Sequence, residues 1–346
     1  MSRIIKFATP PTLLSFSAVG GYEERRGPLG DRFDLTDPTE KFGQKTWECA
    51  EAEMSRLALN IALGKLGISH TELDLIVAGD LQNQCVASAI GLSSFGVPYL
   101  GVYGACSTAT ESLAVLSLFL SQNGGMGAAV TSSHNSAAER QFRNPIEYGG
   151  QRTPTAQWTA TAAGAFLLSG APIERGVRIT ECMAGRMIDG GTTDATNMGA
   201  AMAFAAADSI ITYFEQSKRS PTDFDYIVTG DLGAVGTRVL YELLSDKYPS
   251  VIARHLDCGN LLYDLKKRDV HSGASGCGTS AAVLSTHFLP MLSRGEIGSI
   301  LLLSTGALMS PSSVLQGQNI IGIAPAIRIE GVGLRKQPQN GFAGHI

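Results

Sequence analysis

Cys106 is the side chain of this sequence with the clearest potential for covalent chemistry. It lies in a Gly-Ala-Cys-Ser-Thr segment at residues 104–108, where small and hydroxyl residues are typical of a tight turn that opens a helix. The positive end of a helix dipole lowers the pKa of a thiol and favours a nucleophilic thiolate. The alternative is a small buried residue that only packs well. We expect Cys106 to line a pocket, and we expect it not to react.

A base beside such a thiol would complete a nucleophilic site. His134 follows a Gly-rich turn and a predicted strand at 124–133. Ligands of α/β proteins gather at the C-terminal ends of strands, which makes His134 a candidate for a base or a ligand contact. A histidine in a surface loop fits the same position equally well.

Asp80, Asn83 and Gln84 form a second polar group. The Gly-Asp-Leu segment that contains Asp80 recurs at 230–232, so Asp231 is its counterpart in a second copy. An aspartate that directly follows a strand is expected to cap the next helix or turn. Only the first copy continues with Gln-Asn-Gln, whose amides suit carboxylate recognition. We therefore interpret Asp80 mainly as a cap and the amide run as a candidate pocket rim.

Arg143, Tyr148 and Arg152 lie in a polar, loop-like stretch at 134–158. Guanidinium groups bind carboxylates through two parallel hydrogen bonds, and aromatic side chains cover a planar ring. The three residues therefore suit a planar dianionic acid. The alternative is a solvated loop in which neighbouring glutamates pair with the arginines.

These residues must be positioned by a fold, and an internal repeat predicts which one. Residues 73–81 recur as residues 224–232, and each copy follows a helix with apolar residues every three or four positions. The Gly-Ala-Cys-Ser segment resembles Gly-Ala-Ser-Gly at 273–276, and each opens an apolar helix. The sequence thus predicts an α/β protein of two similar βαβα halves with helix-covered sheets. We expect halves at 1–185, including the 134–158 segment, and 186–346.

Composition excludes several classes of function. The chain has 346 residues, a formal net charge of −4 and a pI of about 5.9, so nothing indicates a nucleic-acid footprint. Its six cysteines show no metal-ligand spacing, and we expect neither a metal nor a cofactor. No apolar stretch is long enough to span a bilayer and no secretory signal is evident. We expect a soluble chain.

Tandem halves with Gly-Ala-Cys-Ser-Thr at the start of a helix resemble the thiolase superfamily, whose nucleophilic cysteine occupies this position. A second set of motifs is similar to the stage V sporulation protein AD family. These motifs lie at 79–84, 103–108, 131–135, 139–143, 147–152 and 304–311. The resemblance implies a thiolase-like fold with helix-covered mixed sheets, and the thiolase relationship also implies a homodimer paired through a sheet edge.

The stage V sporulation protein AD resemblance implies binding of dipicolinic acid (pyridine-2,6-dicarboxylate) for its uptake into the developing spore. It implies membrane-embedded sporulation proteins as partners and a peripheral location at the spore inner membrane. Whether calcium is bound with the ligand stays open.

Two departures from the thiolase pattern favour binding without catalysis. Ser304 stands where thiolases have their second catalytic cysteine, and Val270 stands where they have the catalytic histidine. His271, one residue later, is the remaining candidate for that histidine. The alternative function is a thiolase or ketoacyl-synthase type of acyltransferase, with Cys106 as nucleophile and His271 or His134 as base. A scaffold that docks onto membrane-embedded partners and binds no ligand is a third possibility.

Overall fold

A computed structural model of the chain describes residues 2–142 and 152–334. The strands of this part are β1 Ile4–Lys6, β2 Thr12–Gly20, β3 Leu35–Thr36, β4 Leu75–Gly79, β5 Tyr99–Gly101, β6 Met126–Ser133, β7 Trp158–Thr159, β8 Ala162–Ser169, β9 Gly176–Met183, β10 Ile188–Asp189, β11 Tyr226–Thr229, β12 His255–Asp257, β13 Ala274–Ser275, β14 Ser299–Leu303, β15 Gly306–Leu308, β16 Ile321–Ile323 and β17 Ala326–Val332.

The helices are α1 Tyr22–Arg25, α2 Trp47–Leu66, α3 Val86–Leu92, α4 Thr108–Asn123, α5 Asn135–Phe142, α6 Met198–Ser217, α7 Gly233–Leu244, α8 Pro249–Ile252, α9 Cys258–Leu262, α10 Cys277–Val283, α11 Leu289–Ser293 and α12 Pro311–Leu315. A π-helical segment, Leu284–Phe288, joins α10 to α11. None of the helices in the described ranges is long and apolar enough to cross a membrane.

The order of the main strands shows the repeat directly. Neighbouring strands run β5-β4-β6-β8-β2 and then β9-β17-β14-β11-β12. In the first group β4 is parallel to β5 and β6, and β8 is antiparallel to β6 and β2; β11, β12, β14, β17 and β9 repeat these relations. The predicted equivalence of the two Gly-Asp-Leu strands is therefore confirmed, and the fold is α/β with mixed sheets.

The strand order assigns β9 to the second half, because β9 holds the place that β2 holds in the first. The second half thus begins before Gly176, whereas the sequence interpretation ended the first half at residue 185. Along the chain, β9 follows β8 after a short turn. Pairing with β17, far along the chain, decides its membership.

The helices form layers with the two groups of strands. Buried residues of α2 pack on one face of β4, β6 and β8, and buried residues of α6 pack on one face of β11 and β14. Helices α4 and α10 lie between the two groups of strands. Their buried residues belong to one hydrophobic core that also includes Phe166 of β8 and Ile300 of β14. Both central helices are apolar along most of their length because both are covered on several sides.

The stretch that follows residue 134 differs from the prediction of a loop. Residues 135–142 form helix α5. The alanines at 137 and 138 are strong helix formers, and the Ala138 amide bonds the carbonyl of His134. Helix α5 thus begins immediately after β6 and ends where the described residues stop.

Candidate functional site

A pocket that is partly open to solvent lies where the start of α4 faces β13 and the start of α10. Its lining is mostly apolar, and the polar atoms come from one thiol and a few hydroxyl groups. The lining residues are Leu81, Tyr103, Ala105, Cys106, Ala138, Thr159, Ala195, Met198, Ser275, Ala307 and Met309. Both halves contribute, so the pocket lies between them. In the part of the chain that the structure describes, no Lys, Arg or His lines it.

Cys106 is one of the residues that line this pocket. Ala105, just before it, has a left-handed φ of 51°, which turns the chain sharply ahead of α4. The Cys106 sulfur lies 3.8 Å from the hydroxyl oxygen of Ser275, and only 6% of the residue is exposed.

Burial of the Cys106 thiol opposes the lowering of its pKa that a helix dipole produces. Burial raises its pKa well above the ordinary value, and the nearby carboxylate of Asp231 raises it further. Helix α4 begins at Thr108, two residues after Cys106. The thiol therefore stays protonated at neutral pH.

Asp231 is the polar residue of the site that the sequence analysis missed. One of its carboxylate oxygens accepts hydrogen bonds from the Ser275 hydroxyl at 3.2 Å and the Gly276 amide at 2.9 Å, and the other accepts from the Thr305 hydroxyl at 2.8 Å. Burial raises the pKa of Asp231 to about 7, although these donors favour the ionised form. The Gly-Ala-Ser-Gly motif was the available signal, since its serine and second glycine bind this carboxylate.

Asp80, the counterpart of Asp231, turns away from the pocket. Its carboxylate accepts hydrogen bonds from the Gln82 amide at 2.8 Å and from the amide and hydroxyl of Ser88, both at 2.7 Å. These contacts hold the turn after β4 and the first residues of α3. Asp80 is fully buried, and burial raises its pKa. It acts as a cap.

The amide run after Asp80 splits between two environments. Gln82 is buried and donates a hydrogen bond of 2.8 Å to the buried carboxyl group of Glu51. Asn83 and Gln84 are exposed, and Gln84 has a left-handed φ of 59°. Neither residue lines the pocket. Leu81, between Asp80 and this run, does.

His134 is buried and fully engaged. Its Nδ1 accepts a hydrogen bond from the Ser136 amide at 3.2 Å, and its Nε2 donates to the carbonyl of Glu40 at 2.8 Å. The ring also packs against Trp47, with 5.4 Å between centroids. Burial lowers the pKa of His134, so the ring is neutral. It supports the fold beside the site and does not line the pocket.

His271 is bonded to residues that do not line the pocket. It has a left-handed φ of 48°, its Nδ1 bonds the Thr153 carbonyl at 2.7 Å, and its Nε2 lies 2.8 Å from the carboxylate of Asp269. The pocket lining does not include it. The one-residue offset from the thiolase pattern is therefore not corrected by the fold.

Arg152 has partners outside the pocket. Its guanidinium donates to the backbone carbonyl and the carboxylate of Asp269, at 2.6 and 2.8 Å, and lies 4.8 Å from the ring centroid of Trp158. The acidic partner of Arg152 is therefore the distant Asp269 and not one of the glutamates of its own segment. The other two predicted ligand residues of the segment, Arg143 and Tyr148, lie outside the described residues.

Ser304, in the place of the second thiolase cysteine, is buried. Its hydroxyl accepts a hydrogen bond of 2.7 Å from the Thr110 hydroxyl of α4, and its amide donates to the same oxygen. It joins β14 to α4 instead of lining the pocket. The polar atoms around Cys106 are thus the hydroxyl of Ser275 and the carboxyl group of Asp231.

Solved structures of low sequence identity share this fold. One is 3-oxoacyl-(acyl carrier protein) synthase III from Pseudomonas aeruginosa, with a TM-score of 0.57 and 12% identity, covering 94% of this chain and 99% of that one. Another is OleA from Xanthomonas campestris with cerulenin bound, with a TM-score of 0.60 and 13% identity, covering 93% of this chain and 98% of that one. These similarities show that the fold is thiolase-like, and they show the fold alone.

Sequence comparison identifies a much closer group. Stage V sporulation protein AD of Bacillus subtilis is 40% identical over 331 residues, which cover 94% of this chain and 96% of that protein. The family model of stage V sporulation protein AD matches residues 1–330. This chain therefore belongs to the stage V sporulation protein AD family.

Proposed function

We propose that this chain binds dipicolinic acid in the pocket around Cys106, without catalysis, and thereby supports uptake of the acid into the developing spore. The observation that carries the proposal is the state of Cys106. It lies in a pocket, yet burial and Asp231 raise the pKa of its thiol, and among the described residues no histidine lines this pocket. Such a pocket suits binding and not acyl transfer.

The lining supports a flat aromatic ligand. Leu81, Met198 and Met309 provide apolar and polarisable contacts for a ring. Hydroxyl groups of Thr159 and Tyr103 supply hydrogen-bond donors for carboxylates, and Ser275 adds a third when its hydrogen is not donated to Asp231. An uncharged hydroxyl group stabilises a bound carboxylate only if its hydrogen is not already donated to another acceptor.

The alternative is an acyltransferase of the thiolase or ketoacyl-synthase type. The observation that favours it is the fold, which this chain shares with a 3-oxoacyl-(acyl carrier protein) synthase. It requires a thiolate at Cys106 and a base beside it. His134 has both ring nitrogens bonded elsewhere, and His271 bonds Thr153 and Asp269. The geometry supports the binding function over this one.

Calorimetric titration separates the two functions. We expect dipicolinate to release or absorb heat on binding and acetyl-CoA to cause neither heat nor loss of free thiol. Ala195→Trp places an indole at the pocket wall, and we expect it to weaken dipicolinate binding by about a hundredfold, equal to ~2.7 kcal/mol. Ala171→Trp is the matched control, since Ala171 is exposed in the turn after β8.

Two results would contradict the proposal. One is an absence of dipicolinate binding by the wild-type protein, with and without calcium. The other is acetyl-CoA-dependent acylation of Cys106, which would support the acyltransferase. Membrane-embedded sporulation proteins as partners, and a place at the spore inner membrane, form part of the same proposal and rest on family resemblance.

A further inference from the structure

We propose that the pocket takes up one proton together with its anionic ligand. Asp231 binds this proton, and the Ser275 hydroxyl is then free to donate a hydrogen bond to the ligand. The inference rests on the proposed binding of a carboxylate ligand in this pocket. The inference makes ligand affinity depend on pH. It also assigns to Asp231 a role in distinguishing anionic from neutral ligands.

The first support is the position of the two side chains. Ser275 lines the pocket, and its hydroxyl donates a hydrogen bond of 3.2 Å to the carboxylate of Asp231 directly behind it. The same hydroxyl oxygen is 3.8 Å from the sulfur of Cys106. A carboxylate that binds beside Cys106 therefore contacts Ser275, and Ser275 separates it from the carboxylate of Asp231.

The second support is the charge balance of the site. Within the described ranges no Lys, Arg or His lines the pocket, so none of the described lining residues offers an entering carboxylate a positive partner. Two carboxylates that share a buried, poorly hydrated site cannot both stay ionised without a large penalty. The ligand is fully ionised at neutral pH, and Asp231 is the group that can accept a proton.

Other titratable groups face Asp231 from behind, farther from the pocket, and burial raises the pKa of one of them, Asp257, to about 6. The Cys106 thiol ahead of α4 and the Cys258 thiol of α9 are both protonated, since burial raises the pKa of each well above its ordinary value. Asp257, at the end of β12, adds negative charge near Asp231. Its own carboxylate is occupied by the Thr229 hydroxyl and by the amides of α9 and of residues 232 and 233. Thr305 faces Asp231 from the loop after β14 with an uncharged hydroxyl.

Protonation of Asp231 also reverses the hydrogen bond to Ser275. An ionised Asp231 only accepts, so the Ser275 hydroxyl must point away from the pocket. A protonated Asp231 can donate to the Ser275 oxygen, which frees the Ser275 hydrogen to point at the ligand carboxylate. The proton taken up from solvent thus turns Ser275 into a ligand donor, and no bond other than the O–H bond on Asp231 is formed.

Calorimetry in buffers of different ionisation enthalpy measures the proton count directly. For wild-type protein at about pH 8 we expect uptake of about one proton per dipicolinate, and affinity that falls about tenfold for each pH unit above neutrality. Dipicolinamide, the neutral analogue of similar shape, should bind with no proton uptake. Asp231→Asn should bind dipicolinate with a nearly flat pH profile, and its thermal unfolding shows whether it folds.

The outcomes distinguish this inference from the proposed function. No dipicolinate binding at any pH would remove the proposed function. Binding without proton uptake by the wild-type protein would leave that function standing and overturn the role of Asp231. Undiminished uptake by folded Asp231→Asn would overturn it as well. If that variant does not fold, the wild-type protein decides: proton uptake with dipicolinate and none with dipicolinamide supports the inference, and equal uptake with both ligands overturns it.

Discussion

Asp80 and Asp231 follow equivalent strands of the two halves, yet their carboxylates bind different elements. Asp80 bonds forward along its own half, to Gln82 and to Ser88 of α3. Asp231 bonds across to Ser275 and Gly276, forty-four and forty-five residues further along the chain. One copy of the motif therefore serves the fold, and the other forms the polar wall behind the pocket.

Asp80→Ala should destabilise the protein without changing the pocket. It leaves the amides of Gln82 and Ser88 and the Ser88 hydroxyl without an acceptor in a buried turn. We expect the free energy of unfolding to fall by about 2 kcal/mol, measured by urea denaturation. Glu72→Ala, which removes an exposed capping contact to Ser69, is the control and should cost less than about 1 kcal/mol. Equal losses in the two variants would contradict the capping role of Asp80.

The two histidines of the acyltransferase alternative should behave differently from each other. His134→Ala removes two buried hydrogen bonds and the contact with Trp47, so we expect a loss of about 2 kcal/mol in unfolding free energy. His271→Ala should change stability by less than about 1 kcal/mol and leave dipicolinate affinity unchanged. A hundredfold loss of affinity in folded His271→Ala would show that His271 reaches the ligand after all.

Stability should fall as pH rises toward neutrality. Glu24 and Asp231 are fully buried, and burial raises the pKa of each to about 7. Between the ordinary carboxyl pKa and about 7 the folded state therefore holds more protons than the unfolded state. Their contribution to stability is complete below the unfolded pKa and is lost as pH rises through about 7.

The loss should be on the order of a few kcal/mol and should level off above neutral pH. Urea denaturation across this range measures it. The double variant Glu24→Gln with Asp231→Asn should show a flatter profile. A wild-type profile that rises from about pH 4 to about pH 7 would show that groups with a lowered pKa dominate instead, such as buried His255, whose pKa is lowered to about 4.

A homodimer remains a prediction, and β5 is the surface that supports it. This strand lies at the edge of the sheet in the described part of the chain, and its Tyr99 and Leu100 are 41% and 46% exposed. An exposed edge strand can pair with the same strand of a second copy. Sedimentation analysis should show a dimer that Leu100→Asp dissociates and Leu315→Asp, elsewhere on the surface, does not. A wild-type monomer at micromolar concentration would contradict this.

The sequence predicted the elements of the fold better than the chemistry of the site. The repeated strands at 73–81 and 224–232 were recognisable because their apolar pattern is local. The environment of Cys106 depends on Asp231 and Ser275, which approach it only in the folded chain. His134 was ambiguous for the same reason, since its Glu40 partner lies ninety-four residues away.

The Cys106 thiol provides the most direct test of the central claim, that dipicolinate binds at the base of this pocket without chemistry. Alkylation followed by peptide mass mapping should modify exposed Cys49 quickly and buried, protonated Cys106 slowly. Dipicolinate at about ten times its Kd should slow Cys106 alkylation by about tenfold and leave Cys49 unchanged. If dipicolinate binds by calorimetry yet Cys106 reacts at the same rate, the ligand occupies another site and the account is wrong.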